Sequence, residues 1–516
     1  MTPRLAVLAS LLFVLAACSS EQAKVSNFQP EPGEHRRYQL VSSTEVTRLD
    51  AGGEDYSERI QKTELRSYQV TDSGSNRVNL AVQPDYLHTQ ADSGYSFGSV
   101  IGAMNDQDAT LLEALAEGSM LQVSLDDGHI TSPLSSSYTD ARRSLMGSLD
   151  RLQEVLTQPG LVSGMQFKPG ATRDIEDDTN SGLDGFTLRV TALYDKHVLF
   201  TIESDTDDSI QLYGRMLVER ETGWLDRAGV VIKRELTADG DKHEVRSVMS
   251  LTAADWPYAE LLQYNNQEGM DIDYTRLPGN LDHLIDATTQ QIFPDSTGTV
   301  EVNGDRITLE YEHLLNEAEE AGQFNFTEIE AFNAQGDALE LQFQALRPFS
   351  YKRTDGPLIS YAEAFPLGWD GVESGLAQVD RIEATMQWFP QQLELIPIDV
   401  PTQGSTELTH GGAQARLQAT DNRREFDLYL YPTPHQLFGV QVYGAESGVL
   451  HSLAIDDGAD WLSDNERSKL NVIQYGEYPV RIRLSFRDQV PQQLKLVAFT
   501  IAQEPEAEQR LQFRLK

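Results

Sequence analysis

The chain has 516 residues, with 80 Asp and Glu against 41 Lys and Arg and a formal net charge of −39 at pH 7. Nucleic acid and anionic headgroups are bound through clustered Lys and Arg that release counterions, so this charge excludes DNA and RNA as partners; it reads as solubility, with cation binding or a basic partner as the sharper alternative. The single cysteine, Cys18, excludes disulfides and thiolate metal sites, so stability must come from burial in what the length predicts to be about three domains.

The chain opens on Arg4, an apolar run from Leu5 to Leu15, and the ending Leu15-Ala16-Ala17-Cys18. A basic start and a short apolar run ending in small residues describe a cleaved secretory peptide over 1–17, well below the roughly 20 residues that span a bilayer. The Leu-Ala-Ala-Cys ending resembles the lipobox of bacterial lipoproteins. That resemblance implies that Cys18 is diacylated and becomes the first residue of the mature chain, anchored to the membrane by several acyl chains on one residue. Ser19 in place of Asp implies transfer to the outer membrane of a Gram-negative envelope. No later apolar run approaches spanning length, so the body is expected to face water. Residues 18–34, polar and broken by Pro30 and Pro32, read as a flexible tether.

From Tyr38 the pattern becomes period-two alternation, through Leu40, Val46, Leu65, Tyr68, Val70, Val78, Leu80 and Val82, which predicts half-buried antiparallel strands. Turn residues agree at Asp127-Gly128, Thr222-Gly223 and Asp239-Gly240. Two helices are predicted, Asp108 to Glu117 stopping at Gly118, and Tyr138 to Thr157 stopping before Pro159-Gly160, each with one apolar stripe. Residues 35–255 are thus expected to form an α+β antiparallel sheet with amphipathic helices against it. This element order resembles half-barrel envelope lipoproteins and carriers of the LolA, LolB and RseB type, which implies a curved sheet wrapped around helices and, as an alternative function, an apolar cavity for a lipid or another lipoprotein.

Residues 256–295 read as a connector with a helix at Leu281 to Thr288, and a second all-strand region follows. The strand from Arg381 leads to Pro390-Gln391-Gln392-Leu393, and that from Arg481 leads to Pro491-Gln492-Gln493-Leu494. Ile329 to Gly336 parallels Val440 to Gly448, and Tyr361 to Pro366 parallels Tyr475 to Pro479, in the same order. This order predicts a tandem duplication, 296–402 and 403–516, of an immunoglobulin-like β-sandwich, with Trp388, Phe389 and Tyr311 as core residues. The fold class expected is mainly β.

Gly94-Tyr95-Ser96-Phe97-Gly98 fits the G-x-S-x-G pattern of a serine hydrolase, with His129 and His197 as conceivable bases. That chemistry needs a buried strand before the serine and a helix after it, and the approach from Leu87 to Ser93 is polar. Asp174 to Gly185 is rich in oxygen ligands but lacks the glycine and closing glutamate of an EF-hand, and Asp456 to Asp460 is weaker still. The histidines show no paired spacing for zinc. No catalytic residue, metal or cofactor is therefore assigned. The expected protein is a membrane-anchored envelope lipoprotein with a binding or scaffolding role, with a lipid carrier and a Ser96 hydrolase as alternatives, and its partners are the membrane through Cys18 and an envelope protein or lipid.

Overall fold

The computed structural model describes residues 28–49, 57–74, 76–102, 106–125, 130–131, 159–176, 185–194, 196–204, 210–238, 241–254, 288–315, 322–345, 349–352, 358–369, 371–410, 413–431, 436–441, 450–455, 458–473, 480–486, 489–502 and 504–516. The chain is mainly β, as its alternation predicts, and among the described residues its strand pairings are antiparallel but for one.

The first twelve strands are β1 (His35–Arg48), β2 (Ser57–Ser73), β3 (Arg77–Ala91), β4 (Ser96–Gly98), β5 (Ser119–Ser124), β6 (Ile130–Thr131), β7 (Thr172–Glu176), β8 (Gly185–Leu193), β9 (His197–Glu203), β10 (Ile210–Glu219), β11 (Leu225–Ala238) and β12 (Asp241–Ala253). They form one sheet in the order β6-β5-β3-β2-β1-β12-β11-β10-β9-β8-β7, with β4 on β3. One apolar cluster draws Leu40, Tyr68, Leu80, Val123, Leu188, Phe200, Met216, Val230 and Leu251 from nine of these strands, so that face is the inside of a nearly closed curl. The seam between β7 and the short β6 on β5 is bridged by an irregular segment. Val162, Met165 and Phe167 enter the core, Gly160 (φ +80°) sits where a Cβ would strike Val123, and Arg173 donates to the carbonyl of Leu161 at 3.0 Å.

Helix α1 (Asp106–Ala116) follows β4 and stops at Gly118 (φ +65°), matching the first predicted helix within two residues; the second, over 138–157, lies outside the described residues. The last part of the expected tether is docked. Phe28 is fully buried edge-to-face against Trp224 at 4.9 Å, the Gln29 amide donates to the Thr222 carbonyl, and Gly33 pairs with Val70. Two prolines forbid a helix there but not an extended segment, and burying Phe28 contributes about 2 kcal/mol towards holding it.

Most of the connector lies outside the described residues, and its end is a single turn, α2 (Thr289–Ile292), capped by Thr288. Beyond it come β13 (Thr297–Asn303), β14 (Arg306–His313), β15 (Gly322–Phe332), β16 (Gln342–Ala345), β17 (Phe349–Lys352), β18 (Leu358–Leu367), α3 (Val372–Leu376), β19 (Arg381–Asp399), β20 (Ser405–His410), β21 (Ala413–Ala419), β22 (Glu425–Tyr431), β23 (Gln436–Gln441), β24 (Leu450–Ile455), α4 (Asp464–Val472), β25 (Val480–Phe486), β26 (Gln493–Ile501) and β27 (Ala507–Leu515). A ten-stranded sheet follows the order β16-β18-β14-β13-β27-β19-β26-β23, with β15 on β19 and β17 on β18, and a five-stranded one the order β20-β21-β22-β25-β24.

This pairing departs from two equivalent tandem sandwiches. Strand β19 is continuous over 19 residues, pairing β27 through Trp388 and β26 from Gln391 onward, so the ten-stranded sheet crosses the expected boundary at 402. The terminal strand β27 returns to lie parallel to β13 and antiparallel to the first half of β19. Leu393 and Leu494 belong to two strands of one ladder, opposite Phe499 and Ile398 respectively, and the strand from Arg481 ends at Phe486 in the other sheet. The physical reason is core sharing: Ile382, Ala384, Met386 and Trp388 of β19 enter one core, while Ile396 and Ile398 of the same strand enter the next. That second core, with Leu417, Leu428, Leu484 and Leu496, lies between the two sheets as in a sandwich. Tyr311 and Trp388 are buried in the first, and Phe389 is half-buried.

Candidate functional site

The outer face of the first sheet is where the later sheets attach, at two polar joints. On β3, Tyr86 and His88 project from one face by strand alternation, and Tyr86 is fully buried in the core of the ten-stranded sheet. The β13–β14 hairpin reaches them with its tip. Asn303 pairs with Arg306, leaving Gly304 (φ +61°) and Asp305 as a two-residue turn. Asp305 accepts hydrogen bonds from the Tyr86 hydroxyl and His88 Nδ1, and lies 3.3 Å from Arg306 Nε. Burial pushes the Asp305 carboxyl up, but the His88 bond, the Arg306 charge and the Tyr86 bond outweigh it and hold the group well below the usual carboxylate range. Burial and the adjacent carboxylate push the Tyr86 hydroxyl up.

The joint extends sideways. Arg306 pairs with Glu363 at 3.3 Å and stands 5.6 Å over Phe365, whose ring lies 4.6 Å from Tyr86. Trp369 donates its indole N–H to the Pro84 carbonyl, and the Gly368 amide donates to Asp85 at 2.7 Å.

The second joint is helix α4. Ser463 caps it, and Glu466, three residues on, accepts from the Ser463 amide at 2.7 Å in the reciprocal arrangement of a capping box. The same Glu466 takes a two-pronged bond from Arg246 of β12, both prongs 2.7 Å. Burial pushes Glu466 up, and the Arg246 and Ser463 bonds pull it below its ordinary value. Arg227 donates to the Ile473 carbonyl, and a Cβ on Gly229 would stand 2.8 Å from Ile473, so glycine there allows the contact. Lys469, beside the small pocket between α4 and the strands at Val41, Gly229 and Val248, is lowered to about 8 by burial, against Glu466, with Arg59 adding to the fall.

Ser96 lies on the edge strand β4, opposite Gln90 of β3, and Gly94 (φ +87°) closes the hairpin between them. The arrangement is strand, turn, strand, with α1 starting only at Asp106, so the strained strand-to-helix turn of a nucleophile elbow is not formed. His197 stands on β9, 3.6 Å from Asp226, with six strands between it and β4 in the pairing order. His129 and Cys18 lie outside the described residues. His88 Nε2 is buried without a hydrogen-bond partner, so it is not bonded to Ser96. Asp174 accepts from Thr187 at 2.7 Å across β7–β8, and residues 177–184 and 456–457 lie outside the described residues. Among the described residues no group of three or more His, Cys, Asp or Glu could hold a metal ion.

Sequence reading missed both joints. The signal for α4 was Ser463-Asp464-Asn465-Glu466, a capping-box spacing; for Asp305 there was none beyond the Asn-Gly turn, because its partners lie 217 and 219 positions away.

No protein-family model and no curated sequence matches the chain. Solved structures similar in fold include lipovitellin, at 11% identity and TM-score 0.30 over 43% of this chain and 25% of that one, so the chain spans a quarter of lipovitellin's length. A LolA superfamily protein from Nitrosomonas europaea is 9% identical over 44% of this chain and 86% of that one, with TM-score 0.11. The Pseudomonas aeruginosa MucA/MucB complex is 11% identical over 67% of this chain and 93% of that one, also with TM-score 0.11. At these identities and TM-scores the neighbours carry no argument about this chain.

Proposed function

We propose that this chain is a lipid-anchored envelope protein, held by acyl groups on Cys18, whose folded body works by binding or scaffolding rather than by catalysis. The supporting observation is the pair of joints: Asp305 under Tyr86 and His88, and Glu466 on Arg246, clamp the later sheets to the outer face of the first sheet and make one framework of three cores. Buried, charge-assisted contacts of this kind are costly to open and hold two bodies at a set angle, which suits presentation of a surface to a partner.

A carrier role is the second reading, and the seam favours it. The first sheet curls around an apolar interior, and between its end strands, the short β6 on β5 and β7, the irregular segment 159–167 packs in place of a strand ladder. Pulldown of the full-length protein from native membranes, with protein and lipid analysis of the eluate, tests both. A stoichiometric protein partner supports the scaffold, a co-purifying lipid other than bulk phospholipid supports the carrier, and an eluate with neither rejects both.

A further inference from the structure

We infer that the outward face of strands β20, β21 and β22 binds a neutral, β-1,4-linked oligosaccharide, its sugar rings lying against Tyr429 and Tyr431. This goes beyond a binding or scaffolding role by naming a ligand class, and it depends neither on the Cys18 anchor nor on any protein partner.

Strand alternation builds the face. Leu417 of β21 and Phe426, Leu428 and Leu430 of β22 enter the core of the sandwich, so their alternate neighbours turn outward. The pairing register sets these neighbours in rows: Arg416 lies between Glu407 and Tyr429, Gln414 beside Tyr431, and Gln418 beside Asp427. Gln414 and Gln418 are exposed, and Arg416, Tyr429 and Tyr431 are half-buried.

The Arg416 guanidinium stands 4.4 Å from the centre of the Tyr429 ring, and its Nε is buried without a hydrogen-bond partner. Among the described residues, the side chains of Arg416, Gln414, Gln418, Tyr429 and Tyr431 make no hydrogen bond or ion pair. Asp427 of the same face, by contrast, takes a two-pronged bond from Arg483. In a chain with 80 acids and 41 bases, an arginine stacked on a ring and without a carboxylate is a donor held for something outside the chain.

Charge and composition select the ligand. The five strands of this sheet and the turn at 420–424 carry five Arg, no Lys and four Asp and Glu, a near balance that gives a polyanion or a polycation no strong field. Every outward residue of β20, β21 and β22 is Ser, Thr, Gln, Glu, Asp, Arg or Tyr. Without an aliphatic side chain the face lacks the dry core of a protein interface and offers an acyl chain nothing to lie on. Amides, carboxylates and the guanidinium supply planar donors and acceptors, and the tyrosine rings supply apolar area with a polar tip. A pyranose is the complement, with an apolar face of C–H bonds and a rim of hydroxyls that both donate and accept. Tyr429 and Tyr431 are about 7 Å apart along the strand, so one sugar chain can touch both. A β-1,4 chain is a flat ribbon that lies along a sheet face, whereas an α-1,4 chain coils away from one.

The test is calorimetric titration of the full-length protein with the β-1,4 tetramers of N-acetylglucosamine and of glucose, with maltotetraose, and with a peptide of ten glutamates. At least one β-1,4 tetramer is expected to bind with a Kd of about 1 mM or tighter, and maltotetraose more weakly. Tyr431→Ala should weaken binding about tenfold and Tyr431→Trp should restore it; Arg416→Met and the milder Gln414→Ala, at an exposed position, should each weaken it with the unfolding midpoint unchanged. No binding of either β-1,4 tetramer at about 10 mM overturns the inference, as does binding that all of these variants leave intact. Binding of the glutamate peptide in place of the sugars, lost in Arg416→Met, overturns the saccharide in favour of an acidic protein segment.

Discussion

His313 ends β14 with 1% of its surface exposed, its ring 5.2 Å from Phe324, and neither ring nitrogen has a hydrogen-bond partner. Burial lowers its pKa from 6.5 to about 4. The unfolded chain therefore binds a proton that the folded chain resists, so stability is complete above the unfolded value, falls as the pH drops from 6.5 towards 4, and is flat below both. The full loss is about 3 kcal/mol, of which about 2 kcal/mol falls between pH 7 and pH 5. His313→Phe removes the titration and the two unpaired nitrogens. Carboxylates such as Asp305 and Glu466 are common to both proteins and cancel in the comparison. Amide exchange of the β14 segment, read against the wild type at each pH, isolates the effect. The ratio of variant to wild-type protection should rise roughly 30-fold from pH 7 to pH 5. A ratio that stays constant with pH would refute the reasoning, because a packing effect alone does not titrate.

Asp305→Ala leaves Tyr86, His88 and Arg306 facing a buried site without their acceptor, and should cost about 3–5 kcal/mol, seen as new protease cuts near the β13–β14 hairpin. Gly229→Val should push Ile473 and Leu470 away, with exchange protection lost across α4 while the core around Trp388 keeps its protection. Cys18→Ser should move the protein from the membrane to the soluble periplasmic fraction, and continued membrane binding at moderate salt would count against the anchor. Ser96→Ala should leave fluorophosphonate labelling unchanged; specific labelling lost in that variant would turn the reading towards a hydrolase.

Local chemistry carried much of the fold. Period-two alternation through Tyr38, Leu40, Tyr68 and Val82 placed strands that the structure contains, and β11 and β12 pair as far as Ala238 and Asp241. The stop of α1 at Gly118 was legible because a positive φ there suits glycine. These features are decided within a few residues of themselves, so a single sequence displays them. The proposed anchor at Cys18 rests on a reading of the same local kind, since a processing signal is read as an extended chain before any fold exists.

What tertiary structure alone decided is partnership. Three ordered similarities suggested two equal sandwiches, yet β19 runs through both cores and β27 returns to the first, because a strand joins whichever edge offers an unpaired ladder and an apolar face, at any sequence distance. Phe28 sat in a stretch whose prolines read as tether, and only Trp224, 196 positions on, supplies the ring that buries it. Asp305 reads locally as the polar residue of a hairpin turn; the hydroxyl, imidazole and guanidinium that make it a buried joint are brought together by the curl of the first sheet and its packing against the second. Burial is a property of the assembled surface rather than of the residue, which is why the strands could be read from the chain and the joints between them could not.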